Sequence, residues 1–379
     1  MMRILIASDY SPRWRVAQMI REGREDEVFS EVKGLTSVMD YSVVNFESTV
    51  MDGSDKPIKK SGPNLGCSAE SLPAIRNAGF DMVTLANNHF ADYGDSAVQK
   101  SFEAINSAGL DHVGGGRNIH EATKPLLKEI KGKTIAFINC CEHEFSIADE
   151  KHGGCNPLNP IQQYYQIKEV RDKSDYVIVI VHGGHEYFQL PSLRMQETYR
   201  FFIDAGADVV INHHQHCYSG YEVWRGKPIF YGLGNFCFDY EEPKPEVWYE
   251  GFALELDIDD NEIGFKLHPY IQCKDEPKVS FLKNRNDFDK DIKRLNDIIA
   301  DSDKLKSVVD AYYNESADGI INSFTMHKRF AHRFPRLNDK LFPSYVKRRS
   351  YDFRNMVVCE SHTDKFRYAM MKLTPVKRD

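Results

Sequence analysis

Residues 205–239 read AGADVVINHHQHCYSGYEVWRGKPIFYGLGNFCFD. Residues 208–211 are a short apolar run of the kind that makes a buried strand. The run empties into Asn212-His213-His214-Gln215-His216. Three imidazoles within four residues, just past a strand end, are a metal-site layout. In α/β folds ligands gather outside the carboxyl ends of strands, and neutral imidazole offers a lone pair to zinc, manganese or iron. Downstream, residues 221–224 and 228–231 pattern as a hairpin across Arg225-Gly226-Lys227. The hairpin leads into Gly232-Leu233-Gly234-Asn235, whose glycines let the backbone approach a site closely. The plainer reading is a surface loop that happens to carry histidines.

Upstream segments bear on that choice. Residues 3–7 pattern as a strand that delivers Asp9; taken alone, Asp9 reads equally as a metal ligand or as a turn or helix-capping aspartate. Residues 41–46 are the next strand, and period two puts Asn45 and Glu47 on one side with Phe46 on the other. Residues 69–78 read as a helix closed by Gly79. The strand 81–85 then runs into Asn88-His89. The strongly apolar strand 176–181 ends on His182-Gly183-Gly184-His185-Glu186, and a helix over 194–205 leads back to the quoted stretch. A lone histidine is usually structural. Strand ends that separately deliver Asp9, Asn45 with Glu47, Asn88 with His89, His182, and His214 with His216 imply a metal site.

The remaining segments are plainer. Helices are expected over 95–108 and 161–172, and a hairpin over 125–130 and 134–139. Gly114-Gly115-Gly116 lacks the pattern that opens a phosphate-binding helix and reads as a turn. Residues 141–160, with Glu142, His143, Glu144 and His152, read as a solvated loop in preference to a cleft lining. Beyond residue 275 the composition shifts to helices with charged faces over 286–300, 302–313 and 319–330. From Lys340 a basic stretch with interleaved aromatics follows. It reads as the solvated edge of a helical cap, in preference to a contact for an anionic membrane, glycan or nucleic acid.

The 379 residues are 41% hydrophobic and 28% charged, ordinary values for a soluble globular protein. A net charge of -7 argues against a nucleic-acid binder. Eight cysteines without paired spacing fit a reduced, cytoplasmic protein. The opening MMRILIASDYSPRW is too short in its apolar run for a signal sequence, and no stretch approaches the ~20 apolar residues of a transmembrane segment. The expected location is therefore the cytoplasm.

LANNHFADYG (85–94), AGLDHVGGGRN (108–118), HGGHEY (182–187), DAGADVVINHHQH (204–216) and GKPIFYGLGNFCFD (226–239) together resemble the CapA family, named for poly-γ-glutamate capsule synthesis. The resemblance spans about residues 3–270. It implies an α/β fold similar to the calcineurin-like metallophosphoesterases, a four-layer αββα sandwich with metals at the strand ends. The expected division is a CapA-like metallophosphatase domain over 1–275 and a helical basic extension over 276–379. The resemblance further implies two divalent ions (manganese, iron or zinc) held by Asp9, Asn45, Glu47, Asn88, His182, His214 and His216, with Glu47 bridging. His89 is implied as the catalytic acid. Asp92 is expected either to hold its tautomer or to cap the following helix. Glu186, His185, Asn235 and His213 are expected on the substrate side.

The function implied is hydrolysis of a phosphoester in a phosphorylated or polyanionic substrate of capsule or cell-surface polymer synthesis, with capsule-synthesis machinery as partner. Cleavage or transfer at a γ-glutamyl amide and a non-catalytic assembly or glycan-binding role stand beside it. This sequence departs from the family pattern at Ser8, His185, Asn212, Gln215 and Gly232, and in lacking the N-terminal membrane anchor expected of many members. None of these removes an expected ligand.

Overall fold

The structure, a computed structural model, describes residues 1–259, 262–325 and 343–373 of the chain. Two large sheets carry it. The first runs in the order Val279–Phe281, Ile263–Gln272, Glu250–Ile258, Met2–Ser11, Tyr41–Phe46, Met82–Thr84, Asp111–Val113, and Asn235–Phe238 also pairs with Met2–Ser11. The second runs Tyr221–Trp224, Lys227–Phe230, Val209–His213, Tyr176–His182, Lys133–Cys141, Leu126–Ile130. Met2–Ser11, Tyr41–Phe46, Met82–Thr84 and Asp111–Val113 are parallel. So are Lys133–Cys141, Tyr176–His182 and Val209–His213. Parallel pairing brings the carboxyl ends of each set, and the loops that follow them, to one edge.

Side-chain alternation sorts the first sheet into two faces. Ile4, Ile6, Val43 and Met82 share a core with Phe137, Ile178, Ile180 and Ile211 of the second sheet. Leu5, Ala7, Val44 and Val83 belong to a different core, with Val16, Val28, Leu72 and Phe102 of the helices. One face therefore meets the second sheet, where Tyr41 and Phe137 rings lie 5.9 Å apart, and the other is covered by helices. Tyr176–His182 is a nearly unbroken β-branched run because both of its faces are buried. Helices Pro160–Arg171 and Leu193–Ala205 pack on the second sheet through Ile167, Val170, Tyr199 and Phe202. The first starts at an Asn159 cap with Pro160 following; the second starts at a Ser192 cap and ends at Gly206 with φ 125°. The layers run helix, sheet, sheet, helix, the αββα order the family resemblance implies.

The glycine run is only partly the expected turn, a bend at Gly114 followed by the short strand Gly115–Gly116. Gly114 has φ 87° and lies against the Asn139 amide, and Gly115–Gly116 pairs with Gly154–Cys155.

The end of the chain is helical and closely joined to the sheets. Val279–Phe281, just past the expected boundary at 275, is still a strand of the first sheet. Helix Asn286–Ile299 adds Phe288, Ile292, Leu295 and Ile299 to the larger core, an apolar stripe at helical spacing. One helix, Ser302–Thr325, replaces the two expected over 302–313 and 319–330. A helix-interior glycine at 319 costs about 1 kcal/mol, too little by itself to end a helix. Residues 326–330 of the second expected helix lie outside the described residues, as do 340–342 and 374–379 of the basic stretch. Helices Pro343–Val358 and Glu360–Leu373 follow, the latter meeting Ser302–Thr325 where Tyr313 and Tyr368 rings lie 5.6 Å apart. No helix among the described residues is long and apolar enough to cross a membrane.

Candidate metal centre

The carboxyl ends of both sheets converge on one buried space. Asp9 lies near the end of Met2–Ser11, in register with Asn45 on one side and Asn235 on the other. Glu47 follows Tyr41–Phe46, His182 closes Tyr176–His182, and His214 and His216 follow Val209–His213. Two groups of donors form there, Glu47 with His182 and His214, and Asp9 with Glu47 and His216; within each, the ligand atoms lie within 4.8 Å of one another. Glu47 belongs to both. Its Oε1 stands 3.8 Å from His182 Nε2 and 3.8 Å from His216 Nε2. Asp9 Oδ1 stands 3.8 Å from His182 Nδ1, and Asp9 Oδ2 3.7 Å from His216 Nδ1. These gaps are too long for hydrogen bonds. The two Glu47 gaps are about the separation of two ligands that each sit about 2.1 Å from one ion.

The electrostatics point the same way. Neither Glu47 carboxylate oxygen has a hydrogen-bond partner, and both are buried. Burial first, and then Asp9 and Glu186, push its carboxyl well above the usual range. An anionic Glu47 here requires a cation. Burial and then the neighbouring imidazole His214 hold His182 well below the usual imidazole range. Burial likewise lowers His216. Both rings are thus neutral and available as ligands. The donor set of carboxylates, an amide oxygen and imidazoles fits a divalent transition metal.

Local backbone aims these groups. His214 has φ 91° and His216 φ 54°, conformations that cost of order 1–3 kcal/mol each for residues with a Cβ. Asn235 Oδ1 accepts from His216 Nδ1 at 2.9 Å and so turns Nε2 toward Glu47. Asn88 Oδ1 lies 3.1 Å from His182 Nε2, while its amide donates to Glu144 Oε2 at 3.0 Å.

His89 stands beside this space with a different set of partners. Its Nδ1 is 2.7 Å from Asp92 Oδ2, and its Nε2 is 3.8 Å from Glu47 Oε1. Asp92 does not cap the following helix, whose N-cap is Tyr93. It accepts instead from the Leu65 amide at 2.7 Å and pairs with Lys60. Lys60 Nζ also lies 3.1 Å from His89 Nδ1. Burial, and then the Lys60 ammonium, lower the His89 pKa.

Several expected residues are otherwise engaged. Asn45 gives its amide to Asp9 Oδ1 at 2.8 Å, and its oxygen accepts from Thr84 and Asn87; it orients Asp9 and does not present an oxygen to the donor space. Asn235 serves His216. His185 is turned away and packs between Tyr312 and Tyr313, 2.9 Å from the Tyr313 hydroxyl. His213 is the last strand residue, in register with His182. It is buried with neither ring nitrogen hydrogen-bonded, and burial pushes its pKa down to about 4. Of the four residues expected on the substrate side, Glu186 is the exposed one.

The expectation of a solvated loop over 141–160 holds at residues 149–152, which are exposed, and fails at Glu142 and Glu144. Glu142 is buried, paired with Arg194 at 2.7 Å and accepting from Ser361 Oγ at 2.9 Å. A side chain at Gly183 would collide with it, at 2.6 Å from Cγ. Glu144 holds Asn88. The loop is covered by the C-terminal helices, a long-range contact that local composition does not show. Lys60 and Asn87 were not singled out by sequence, and Glu144 was named only within a loop read as solvated. Lys60 lies in a Pro/Gly loop with no periodicity, and Asn87 was hidden beside Asn88-His89.

The fold and this buried donor set define a two-sheet α/β protein with a carboxylate-bridged, histidine-rich site at its strand ends. The model of the bacterial capsule synthesis protein PGA_cap family matches residues 3–240, and the chain belongs to that family. The Bacillus anthracis capsule biosynthesis protein CapA is 32% identical over 232 residues, covering 59% of this chain and 56% of that protein. The Bacillus subtilis PGA biosynthesis protein CapA is 31% identical over 228 residues, covering 59% of this chain and 60% of that protein. The match thus spans little more than half the length of these relatives. A putative 5'-nucleotidase from Staphylococcus aureus, solved in complex with alpha-ketoglutarate, is similar at a TM-score of 0.45 and 14% identity, over 78% of this chain and 58% of that one. Likeness at that level does not bear on activity.

Proposed function

We propose that the chain is a metal-dependent hydrolase of phosphoesters, acting in the synthesis of a capsular or cell-surface polymer. The observation that carries this reading is Glu47, a buried carboxylate without hydrogen-bond partners, shared by two groups of ligand atoms. Asp9, Glu47, Asn88, His182, His214 and His216 would hold two divalent ions, manganese, iron or zinc. Such ions, when bound, lower the pKa of a coordinated water to near neutral and polarise a phosphoryl oxygen. Asn45 keeps Asp9 aimed at the site, and Asn235 does the same for His216, as outer partners of ligands do elsewhere.

His89 gives a proton from Nε2 to the leaving oxygen. Asp92 accepts from Nδ1 and fixes the ring, so Nε2 faces the reacting group. Burial and Lys60 make the protonated ring a stronger acid, readier to release its proton. Glu186 lines the approach from solvent. The compartment proposed is the cytoplasm, in keeping with eight free, buried cysteines.

The names of the relatives favour a second reading, cleavage or transfer at a γ-glutamyl amide, since the same site can activate water toward a carbonyl. The discriminating experiment incubates purified protein with a phosphodiester, a phosphomonoester and poly-γ-glutamate, with and without manganese. Metal-dependent turnover of a phosphoester supports the first reading, and turnover of poly-γ-glutamate alone supports the second. Failure on all three despite bound metal refutes both and favours a binding role in capsule assembly.

A further inference from the structure

A second set of metal-compatible donors sits where the C-terminal helices meet the rest of the chain. Glu144, Cys359 and His362 each bring one ligand atom within 4.8 Å of the others. Glu144 comes from the loop after Lys133–Cys141. Cys359 is the residue between helices Pro343–Val358 and Glu360–Leu373, and His362 follows three positions later, near the start of the second helix. Ligands separated by two residues are a recurrent zinc spacing.

The three atoms have room for an ion. Glu144 commits Oε2 to the Asn88 amide, which leaves Oε1 facing His362 Nε2 at 3.7 Å. That gap is too long for a hydrogen bond and about right for two ligands of one ion. The buried Cys359 thiol makes a long contact, 3.5 Å, to Glu142 Oε2. Glu142 is itself held by Arg194 and Ser361. Arg194 pairs with Glu142 and Asp364, and His143 with Glu360, while Lys365 donates to the Tyr312 hydroxyl. The His362 side chain is 47% exposed, so an ion can enter from solvent and keep one position for water.

We infer that Glu144, Cys359 and His362 form a zinc-type site, separate from the strand-end donors, that clips helix Glu360–Leu373 onto the loop carrying Glu144. A borderline-soft divalent ion suits one thiolate, one imidazole and one carboxylate. On binding, the Cys359 proton leaves to solvent and Sγ bonds the ion. Because Glu144 also holds the Asn88 amide, the clip fixes the orientation of a strand-end donor. The inference does not depend on the proposed hydrolysis.

The two sites differ in one readable property, since the strand-end donors contain no sulfur. The test titrates cobalt(II) into the metal-free full chain and follows sulfur-to-cobalt charge-transfer absorption. The band should appear in the wild type and in the His214→Ala, His216→Ala double variant. Cys359→Ser should lose it, and should bind one equivalent of zinc fewer than wild type. His362→Ala, at a half-exposed position, provides a second variant. Removing a first ligand should weaken cobalt binding by more than the roughly 10–100-fold typical of an outer partner. Absence of the band in wild type, or its survival undiminished in Cys359→Ser, overturns the site.

Discussion

Asp92 Oδ2 lies 2.7 Å from His89 Nδ1, and this contact separates the job of His89 from that of its neighbour Asn88. The ring is anchored through one nitrogen and turns the other toward Glu47, 3.8 Å away. Asn88 turns its amide oxygen toward His182. The two adjacent side chains thus have different partners, which fits the proposed division of acid and ligand.

His89→Asn should therefore keep the metals and lose activity. General acid catalysis is typically worth about 10²–10⁴-fold. The loss should be large for an alkyl phosphoester, whose leaving oxygen needs a proton, and small for an activated aryl phosphate. Asn88→Ala should lose metal as well as activity. A leaving-group series with metal content measured in parallel checks both; equal losses across the series would make His89 structural.

Lys60 and Asp92 form a buried ion pair, with side chains 2% and 0% exposed. Removing one member leaves the other unpaired, at a cost of about 3–5 kcal/mol. Lys60→Met should lower the thermal midpoint accordingly, and Lys60→Met with Asp92→Asn should recover much of the loss. Additive losses in the double variant would mean that the pair is not coupled.

The C-terminal cap should loosen in base. The hydrogen bond from His143 to Glu360 raises the His143 pKa above its ordinary value. A raised folded-state value means that the protonated ring favours the docked helix. The contribution is complete below the ordinary imidazole value of about 6.5 and is lost as pH rises through the raised one. Hydrogen exchange across 360–373 should be faster at pH 9 than at pH 6 by more than the intrinsic rate change, and His143→Ala should remove the difference. Tighter protection at pH 9 would contradict this.

Much of the layered fold was legible because its signals are local. The run at 176–182 is apolar on both faces, and alternation at 41–47 separates Phe46 from Asn45 and Glu47. That Asp9, Glu47, Asn88, His182, His214 and His216 gather in one place was legible for the same reason, each being a donor at or just past the end of a strand. What stayed hidden depends on contacts distant in sequence. Glu142 looks solvated until Ser361, more than two hundred residues away, covers it. His185 sits in a glycine-rich motif beside a ligand, yet Tyr313 claims it. Asn45 and Asn235 have the chemistry of ligands but spend it on Asp9 and His216, a distinction that side-chain geometry decides.

Glu47 is shared by two donor groups, and the direct test of its proposed role in holding two ions is metal stoichiometry by elemental analysis of wild type and Glu47→Ala purified without chelator. Loss of the shared carboxylate removes a ligand from both donor groups. Glu47→Ala should therefore carry about two equivalents of transition metal fewer per chain than wild type. Equal metal content in the two proteins would contradict the account.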